Sequence, residues 1–310
     1  MRMLDAQAAL SFVLSQTSHI ETQVWKKQYP EILYPEFVPI DESAHPWATT
    51  VTYFSADYTG KAAWIHGFAQ DFPMVGTNRT KHETEVAMGG IGYGYNLQEI
   101  SQAQMLGMSL TADLAIASRD LYERHCEDVA FRGDAQKGYQ GLLNNSSVGV
   151  ADVADGVSTD PEWDTKTPDE IVADINEALL DVYLDSNTIE MADTVLLPVS
   201  RYTLIATKRL APELTTTILE HIQRVNVYTA TTGKPLKIRA LRDLETAGVG
   251  GTKRMVVYRR SPDVLKLHRP MPLRFFPAQQ IMLDTRVPAA YRLGGTDIRK
   301  PGACRYRDAI

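Results

Sequence analysis

The residues of this chain that could do chemistry are its seven histidines and two cysteines, and their spacing does not build a catalytic site. His125 and Cys126 are adjacent in a segment with helical periodicity, so their side chains point about 100° apart and cannot act as a nucleophile and its base. The short motifs of zinc proteases and serine hydrolases are absent, and residues 250–253 carry P-loop residue types in the wrong order. We therefore predict no catalytic residue and no enzyme activity.

Three glycines and a run of acidic residues are the remaining candidates for ligand binding. Strand-like alternation continues through Gly90, Gly92 and Gly94, which predicts a bare strand face for close backbone approach rather than a phosphate loop. Thirteen carboxylates lie between residues 151 and 193 against the single base Lys166, but they lack EF-hand spacing, so we predict an exposed acidic stretch. Two cysteines are too few for a zinc knuckle or a disulfide framework. We expect no metal, no cofactor and two plain thiols.

Charge is distributed unevenly along the chain. The 310 residues hold 32 Lys and Arg against 38 Asp and Glu, a net charge of −6 that argues against a chain devoted to gripping nucleic acid. Residues 234–310 carry 17 basic and 6 acidic residues, a net +11, which leaves −17 for residues 1–233. Opposite charge in the two halves predicts attraction between copies, weakened by salt. No apolar run approaches the roughly 18 residues that span a bilayer.

The first 97 residues indicate an extended arm followed by a long hairpin. A short amphipathic helix is predicted near the N-terminus, on the stripe of Leu4, Ala8 and Phe12. Four prolines within residues 16–47 then predict an aromatic-rich arm without helix, which must lie on its own domain or on a neighbour. β-Branched and aromatic runs at residues 49–57 and 83–97 predict two strands joined by a tip of about 25 residues.

The rest of the chain predicts a mixed α+β body. A long helix is indicated at residues 109–131, and a second helix begins at Thr167, where Pro168 and Glu170 complete a capping box. The predicted buried stripe of the long helix is Leu110, Leu114, Ala117, Leu121, Cys126 and Val129. Shorter elements follow: strands at 194–198, 236–241 and 254–260, helices at 200–208 and 214–226, and a strand-like tail from residue 262.

Four separated segments carry a resemblance that covers nearly the whole chain. They are GIGYGYNLQEISQAQ before the long helix, FRGDAQKGYQGLLNN after it, YRRSPDVLKLHRPMPLRFFPAQQ, and the ending LGGTDIRKPGACRYRDAI. Together they resemble the major capsid proteins of tailed bacteriophages with the Hong Kong 97-like fold, a group formerly labelled a domain of unknown function. Encapsulins, which are cellular cargo compartments, share this fold and are the alternative. A soluble hydrolase would need a clustered site that the sequence lacks.

The resemblance implies an α+β fold with four named parts. These are an N-arm (1–47), an E-loop (48–97), a P domain with a long spine helix (98–145 and 261–310) and an A domain (146–260). It also implies a subunit that self-assembles through hexamers and pentamers into an icosahedral phage head, which encloses double-stranded DNA without sequence-specific binding. Expected partners are further copies, a separate scaffolding protein, a portal and a decoration protein, with no membrane. The expected location is the virion, after assembly in the bacterial host cytoplasm.

Projecting segments with large apolar or charged side chains form the predicted assembly interface. The candidates are Trp25, Trp47, Lys61, Trp64, Phe68, Phe72, Arg79 and Lys81. Aromatic rings anchor interfaces, and these segments lack a core of their own. Some members of the family join an E-loop lysine to a P-domain asparagine with the help of a glutamate. Lys61 and Lys81 could be donors, but residues 264–310 contain neither Asn nor Glu, so we predict no covalent cross-links.

Overall fold

The computed structural model describes residues 29–67, 72–105 and 109–310; the predicted N-terminal helix, Trp25 and Phe68 lie outside them. The α-helices in this part are α1 (Tyr34–Phe37), α2 (Leu97–Met105), α3 (Leu110–Phe131), α4 (Pro168–Asp185), α5 (Val199–Thr207), α6 (Ile218–Arg224) and α7 (Val227–Thr232). The strands are β1 (Ile40–Asp41), β2 (Thr50–Thr59), β3 (Gly76–Asn96), β4 (Gly149–Asp152), β5 (Thr194–Leu197), β6 (Lys237–Ala240), β7 (Arg254–Tyr258), β8 (Leu265–His268), β9 (Met271–Phe275), β10 (Gln279–Ile281), β11 (Asp284–Gly294), β12 (Thr296–Ile298) and β13 (Cys304–Asp308). Residues 32–310 form one unit by their contacts.

The predicted long hairpin is confirmed. β2 and β3 pair antiparallel from Thr50 opposite Glu85 to Thr59 opposite Gly76, and the described residues between the two strands, 60–67 and 72–75, belong to the tip. The second half of β3 pairs instead with β11, so one strand of 21 residues joins the hairpin to the body. At about 3.3 Å per residue β3 is roughly 70 Å long. We use "the hairpin" for residues 50–85 and "the tip" for residues 60–75.

The glycine-rich part of β3 is strand, as predicted. Gly90, Gly92 and Gly94 lie within the ladder to β11. A Cβ added at Gly92 would lie 3.0 Å from the carbonyl oxygen of Val287 on the paired strand β11, so the close backbone approach occurs within the ladder itself. The segment is therefore no phosphate-binding loop.

The long helix α3 has the predicted length, but its buried face agrees with the predicted stripe only at Cys126 and Val129. Its buried residues are Ser118, Tyr122, Cys126, Glu127, Val129, Ala130 and Phe131, whereas the predicted Ala117 and Leu121 are exposed, Leu121 by 55%. Tyr122 turns inward because its ring packs edge-on against Tyr291 of β11, with ring centroids 4.8 Å apart. Apolar residues lie on two sides of this helix, and only the neighbouring strand decides which side is covered.

The turn after α3 explains the most distinctive of the resembling segments. Gly133 has a φ of +73°, and a Cβ there would lie 2.2 Å from the carbonyl oxygen of Tyr139. A Cβ at Gly141 would lie 2.2 Å from the carbonyl oxygen of Phe131. Only glycine fits either position, because the returning chain lies directly on the helix end. The Leu142 N–H donates to the carbonyl of Ala130 at 2.8 Å and completes the last turn.

A sheet of order β4-β13-β7-β5-β6, which we name the core sheet, has central strands that are buried on both faces, while its edge strands β4 and β6 are largely exposed. Val195, Leu197, Met255 and Val257 face the core under α4, while Leu196, Val256, Tyr258 and Tyr306 face the core under α3. The predicted capping box of α4 is present, with Thr167 and Glu170 bonded reciprocally. The last strand of the chain, β13, lies inside this sheet between β4 and β7.

One sequence expectation about helices was wrong, and another was right in place but too long. The proline-rich arm was predicted to hold no helix, yet α1 is helical because Pro35 occupies its first turn, where the missing N–H is not needed. Tyr34, Phe37 and Val38 are buried against α3, so this part of the arm lies on its own subunit. The helix predicted at 214–226 is present but shorter, as α6, and a second helix that the sequence did not predict follows at once, because the Asn226 side chain caps α7 by accepting from the Thr229 N–H at 2.7 Å.

Candidate assembly interface

The hairpin projects with both faces exposed. From Gly76 to Glu83 every residue of β3 is exposed, and the first buried residue is Val86 at the root. In β2 only Val51 and Tyr53 are partly covered. A two-stranded ribbon with no covering layer cannot hold its own apolar side chains away from water. The hairpin therefore has no core of its own, as the sequence predicted.

The predicted interface residues within the described part are all on the surface. Trp64 is fully exposed at the tip and Phe72 is 54% exposed on its other side, whereas Trp47 is 59% exposed but precedes β2. Lys61, Arg79 and Lys81 are exposed too. Lys61, Trp64 and Phe72 thus belong to the tip, while Arg79 and Lys81 lie on β3 and Trp47 precedes β2.

Lys81 is already partnered on its own strand. Its ammonium forms an ion pair with Glu83, and this hydrogen bond holds the pKa of the exposed Glu83 below its usual value. Thr52 on β2 also reaches Glu83, at 3.5 Å. The pair is exposed, so it contributes little to stability. Of the two predicted donor lysines, only Lys61 belongs to the tip.

Several exposed apolar residues of the hairpin were missed in the sequence. They are Phe54 and Tyr58 on β2 and Ile65, Met74 and Val75 in the tip. Phe54 and Tyr58 share one face by the alternation of a strand, which was a usable signal. The strand pattern could not show that this face stays uncovered, because that depends on where the second strand leaves the body.

The root of the hairpin is fixed by ring contacts. Tyr53 of β2 stacks on His82 of β3 with centroids 4.8 Å apart, and the Arg299 guanidinium lies 4.4 Å from the centre of the Tyr53 ring. Ser55 is hydrogen-bonded to His82 at 3.0 Å. Arg299 follows β12, so these contacts join the hairpin to the body.

Beneath the root, a buried histidine lies between two aspartates in the sheet β1-β8-β12. His268 is 1% exposed, its Nδ1 is 3.4 Å from Asp41 and its Nε2 is 3.5 Å from Asp297. Burial would raise the pKa of Asp297, but His268 and Arg299 outweigh it and lower that pKa. Burial would likewise raise the pKa of Asp41, but hydrogen bonds from Lys266 and Ser43 hold it well below its usual value. Both carboxylates therefore stay charged at neutral pH.

Much of the charge that separates the two halves of the sequence is paired inside one subunit. Arg305 and Arg307 of β13 bind Asp181, Asp185 and Glu177 of α4. Arg259 and Lys300 both bind Glu190, which lies in the acidic half. The predicted attraction between copies therefore cannot draw on the full −17 and +11, and only the charges left unpaired are available.

His125 and Cys126, the adjacent pair considered in the sequence for catalysis, differ in their exposure to solvent. Cys126 is buried while His125 is exposed. Burial raises the pKa of Cys126 to about 11 and that of Cys304 to about 12, so both thiols are protonated and unreactive at neutral pH. Within the described ranges no group of three or more His, Cys, Asp or Glu side chains could hold a metal ion, and no helix is long and apolar enough to cross a membrane.

Comparison with known proteins places the chain in a family. The model of the major capsid protein family matches residues 60–310, and the chain belongs to this family. No curated protein matches it by sequence. The solved structures that it resembles include the capsid of Myoviridae phage XM1, at 16% identity and a TM-score of 0.81, covering 96% of this chain and 98% of that one.

Two further shells share the fold at lower similarity. The capsid of the native GTA particle has a TM-score of 0.63 at 10% identity, covering 97% of this chain and 98% of that chain. The virus-like particle from Pyrococcus furiosus has a TM-score of 0.54 at 11% identity, covering 88% and 91%. The fold is thus the Hong Kong 97-like fold of phage capsids, and the chain is a structural capsid protein. The encapsulin alternative is not favoured.

Proposed function

We propose that this chain forms the head of a tailed phage by assembling through hexamers and pentamers into an icosahedral shell around double-stranded DNA. The observation that carries the proposal is the uncovered hairpin. Trp64, Phe72, Phe54 and Tyr58 expose large apolar surfaces on a ribbon without a core. Such side chains need a partner surface, and a second copy of the chain supplies it in every subunit of a shell.

The parts of the subunit then have distinct roles. Residues 1–47 act as an N-arm, 48–97 as the E-loop over a neighbour, 98–145 and 261–310 as the P domain and 146–260 as the A domain around ring centres. The contact is heterologous, since the hairpin of one subunit meets a different surface of the next, and heterologous contacts close into rings of five or six. Trp25, Trp47, Lys61, Trp64, Phe68, Phe72, Arg79 and Lys81 are the proposed interface residues.

A shell that is filled with DNA and closed needs further protein partners. We propose a separate scaffolding protein, a portal and a decoration protein, with assembly in the host cytoplasm and a purely structural role without catalysis. The net charge of −6 suits a wall that encloses DNA without binding its sequence.

One experiment tests the proposal on the unmodified chain. Purified or expressed protein is separated by sedimentation, and the fast fraction is imaged by electron microscopy. We expect closed hollow shells, and after denaturation a gel band at monomer mass because residues 264–310 hold neither Asn nor Glu. A stable small oligomer under all conditions would contradict the capsid proposal, whereas shells that give a ladder of multiples would contradict only the absence of cross-links.

A further inference from the structure

The core sheet ends on both sides in strands that have one neighbour. Among the described residues β4 is paired only with β13, and β6 only with β5. Each of these strands presents a row of backbone groups that no second strand covers. Three strands lie between them, so the two edges are roughly 20 Å apart on opposite sides of one sheet. Two different edges of one subunit can meet only in a head-to-tail contact between copies.

The edge formed by β6 is basic. Lys237 and Arg239 of this strand are each 55% exposed, and Lys234, three residues before the start of the strand, is exposed too. Glu36 of α1 lies 3.2 Å from the Arg239 guanidinium and 3.9 Å from the Lys237 ammonium. Of these three positive charges, those of Lys237 and Arg239 share the single carboxylate of Glu36. We name Lys234, Lys237 and Arg239 the basic edge.

The edge formed by β4 is acidic. Asp152 ends this strand and Asp155 follows it, and both are exposed. They differ from the nearby carboxylates of α4, because Asp181 and Asp185 are bound to Arg305 within the subunit. Val150, 45% exposed, adds an apolar contact on the same strand. We name Asp152 and Asp155 the acidic edge.

We infer that the acidic edge of one subunit faces the basic edge of the next copy around each ring. The inference rests on the proposed function and names the surfaces that close the ring. Charge complementarity identifies the partner as a second copy of this chain, since each subunit carries both the acidic edge and the basic edge. The same charges hinder indiscriminate strand pairing at two open sheet edges, which protects the free subunit from aggregation. The contact is exposed at its rim, so it sets orientation and rate of association and is screened by salt.

Charge reversal on one edge and then on both tests the pairing. The basic-edge variant is Lys234→Glu with Lys237→Glu, which leaves the Arg239 and Glu36 pair in place, and the acidic-edge variant is Asp152→Lys with Asp155→Lys. We expect each variant alone to lower the yield of shells at low ionic strength by about tenfold or more, as measured by sedimentation. The chain with all four changes should regain a yield within about twofold of the unmodified chain, because every contact again joins opposite charges.

Controls separate folding, pairing and the capsid proposal. Lys234→Arg with Lys237→Arg keeps the charge and should assemble like the unmodified chain, and the circular dichroism and unfolding midpoint of each reversed variant should be unchanged. If the unmodified chain forms shells and the single-edge variants do so equally well, the inference is overturned while the capsid proposal stands. If the single-edge variants fail and the four-change chain fails too, the two edges do not face each other. An unmodified chain that never forms shells contradicts the proposed function itself.

Discussion

The hairpin and the core sheet are both β structure, yet they treat their apolar side chains in opposite ways. In the core sheet, strands β5 and β7 are buried along their whole length, with residues of alternate parity feeding two separate cores. In the hairpin, Phe54, Tyr58 and Trp64 lie in water. A capsid subunit must be stably folded before it assembles, and it must also expose surface that binds other subunits. The core sheet contributes to stability and the hairpin to binding, so mutations in the two regions should affect different properties.

The largest effect on the free energy of unfolding is expected at a buried ion pair of the core sheet. Arg254 and Asp308 are 5% and 1% exposed, and Nε and one terminal nitrogen of Arg254 donate to the two carboxylate oxygens at 2.6 and 2.7 Å. Arg254→Met leaves the Asp308 carboxylate buried without its cation. We expect the free energy of unfolding to drop by about 3–5 kcal/mol, measured by urea denaturation of the unassembled subunit.

The matched control removes both charges. Arg254→Met with Asp308→Leu should recover most of the lost stability, because no unpaired charge remains buried. A double variant as unstable as the single one would show that the hydrogen bonds of this pair to the backbone matter more than the ion pair; Arg254 donates to the Leu143 carbonyl at 2.7 Å, and Asp308 accepts from the Val249 N–H at 3.0 Å.

A smaller effect, dependent on pH, is expected where the hairpin joins the body. The pKa values of Asp41 and Asp297 are both lowered in the folded state, from an ordinary 3.8. Their stabilisation is therefore complete above about pH 4 and is lost as the pH falls through the lowered values. We expect the free energy of unfolding to decrease below pH 4, and Asp297→Asn to make this decrease shallower. Urea denaturation at stepwise lower pH measures it, and an unchanged slope in the variant would argue against the role of Asp297.

The smallest effect on stability, combined with a large effect on assembly, is expected at the tip. Trp64→Ser with Phe72→Ser removes two exposed rings, so the free energy of unfolding should change by no more than about 0.5 kcal/mol. The yield of shells should fall by about tenfold or more, since truncated aromatic anchors cost an interface the most. Trp64→Phe keeps an apolar ring and is the matched control. A double variant that assembles normally would remove the tip from the proposed interface.

The sequence predicted local structure best where the interacting residues are close together in the chain. The capping box of α4 lies within four residues, and the buried stripe of Ile171, Ile175, Leu179 and Val182 repeats on one side of the helix. The hairpin was predictable for the same reason, since its two strands are near in sequence and share one tip. The resemblance of separated segments also led to the correct family and fold, which local patterns alone could not supply.

Predictions failed where a distant segment chooses between two possibilities. On α3 either Leu121 or Tyr122 could have faced the core, and Tyr291, far along the chain, selected Tyr122. The two oppositely charged halves of the sequence suggested attraction between copies, but Arg305 and Arg307 pair with α4 of the same subunit. Charge counts carry no distances, so they do not separate contacts within a subunit from contacts between subunits.

The sequence by itself therefore determined the long helices α3 and α4, the hairpin and the family, because each is encoded in adjacent residues or in quoted motifs. The tertiary structure alone decided which apolar faces stay uncovered, which charges remain unpaired and how the last strand enters the core sheet. These depend on segments more than 100 residues apart meeting in space, as Arg254 meets Leu143 and Tyr306 meets Leu142. What the chain offers to its neighbours is the surface that remains after those internal contacts are made.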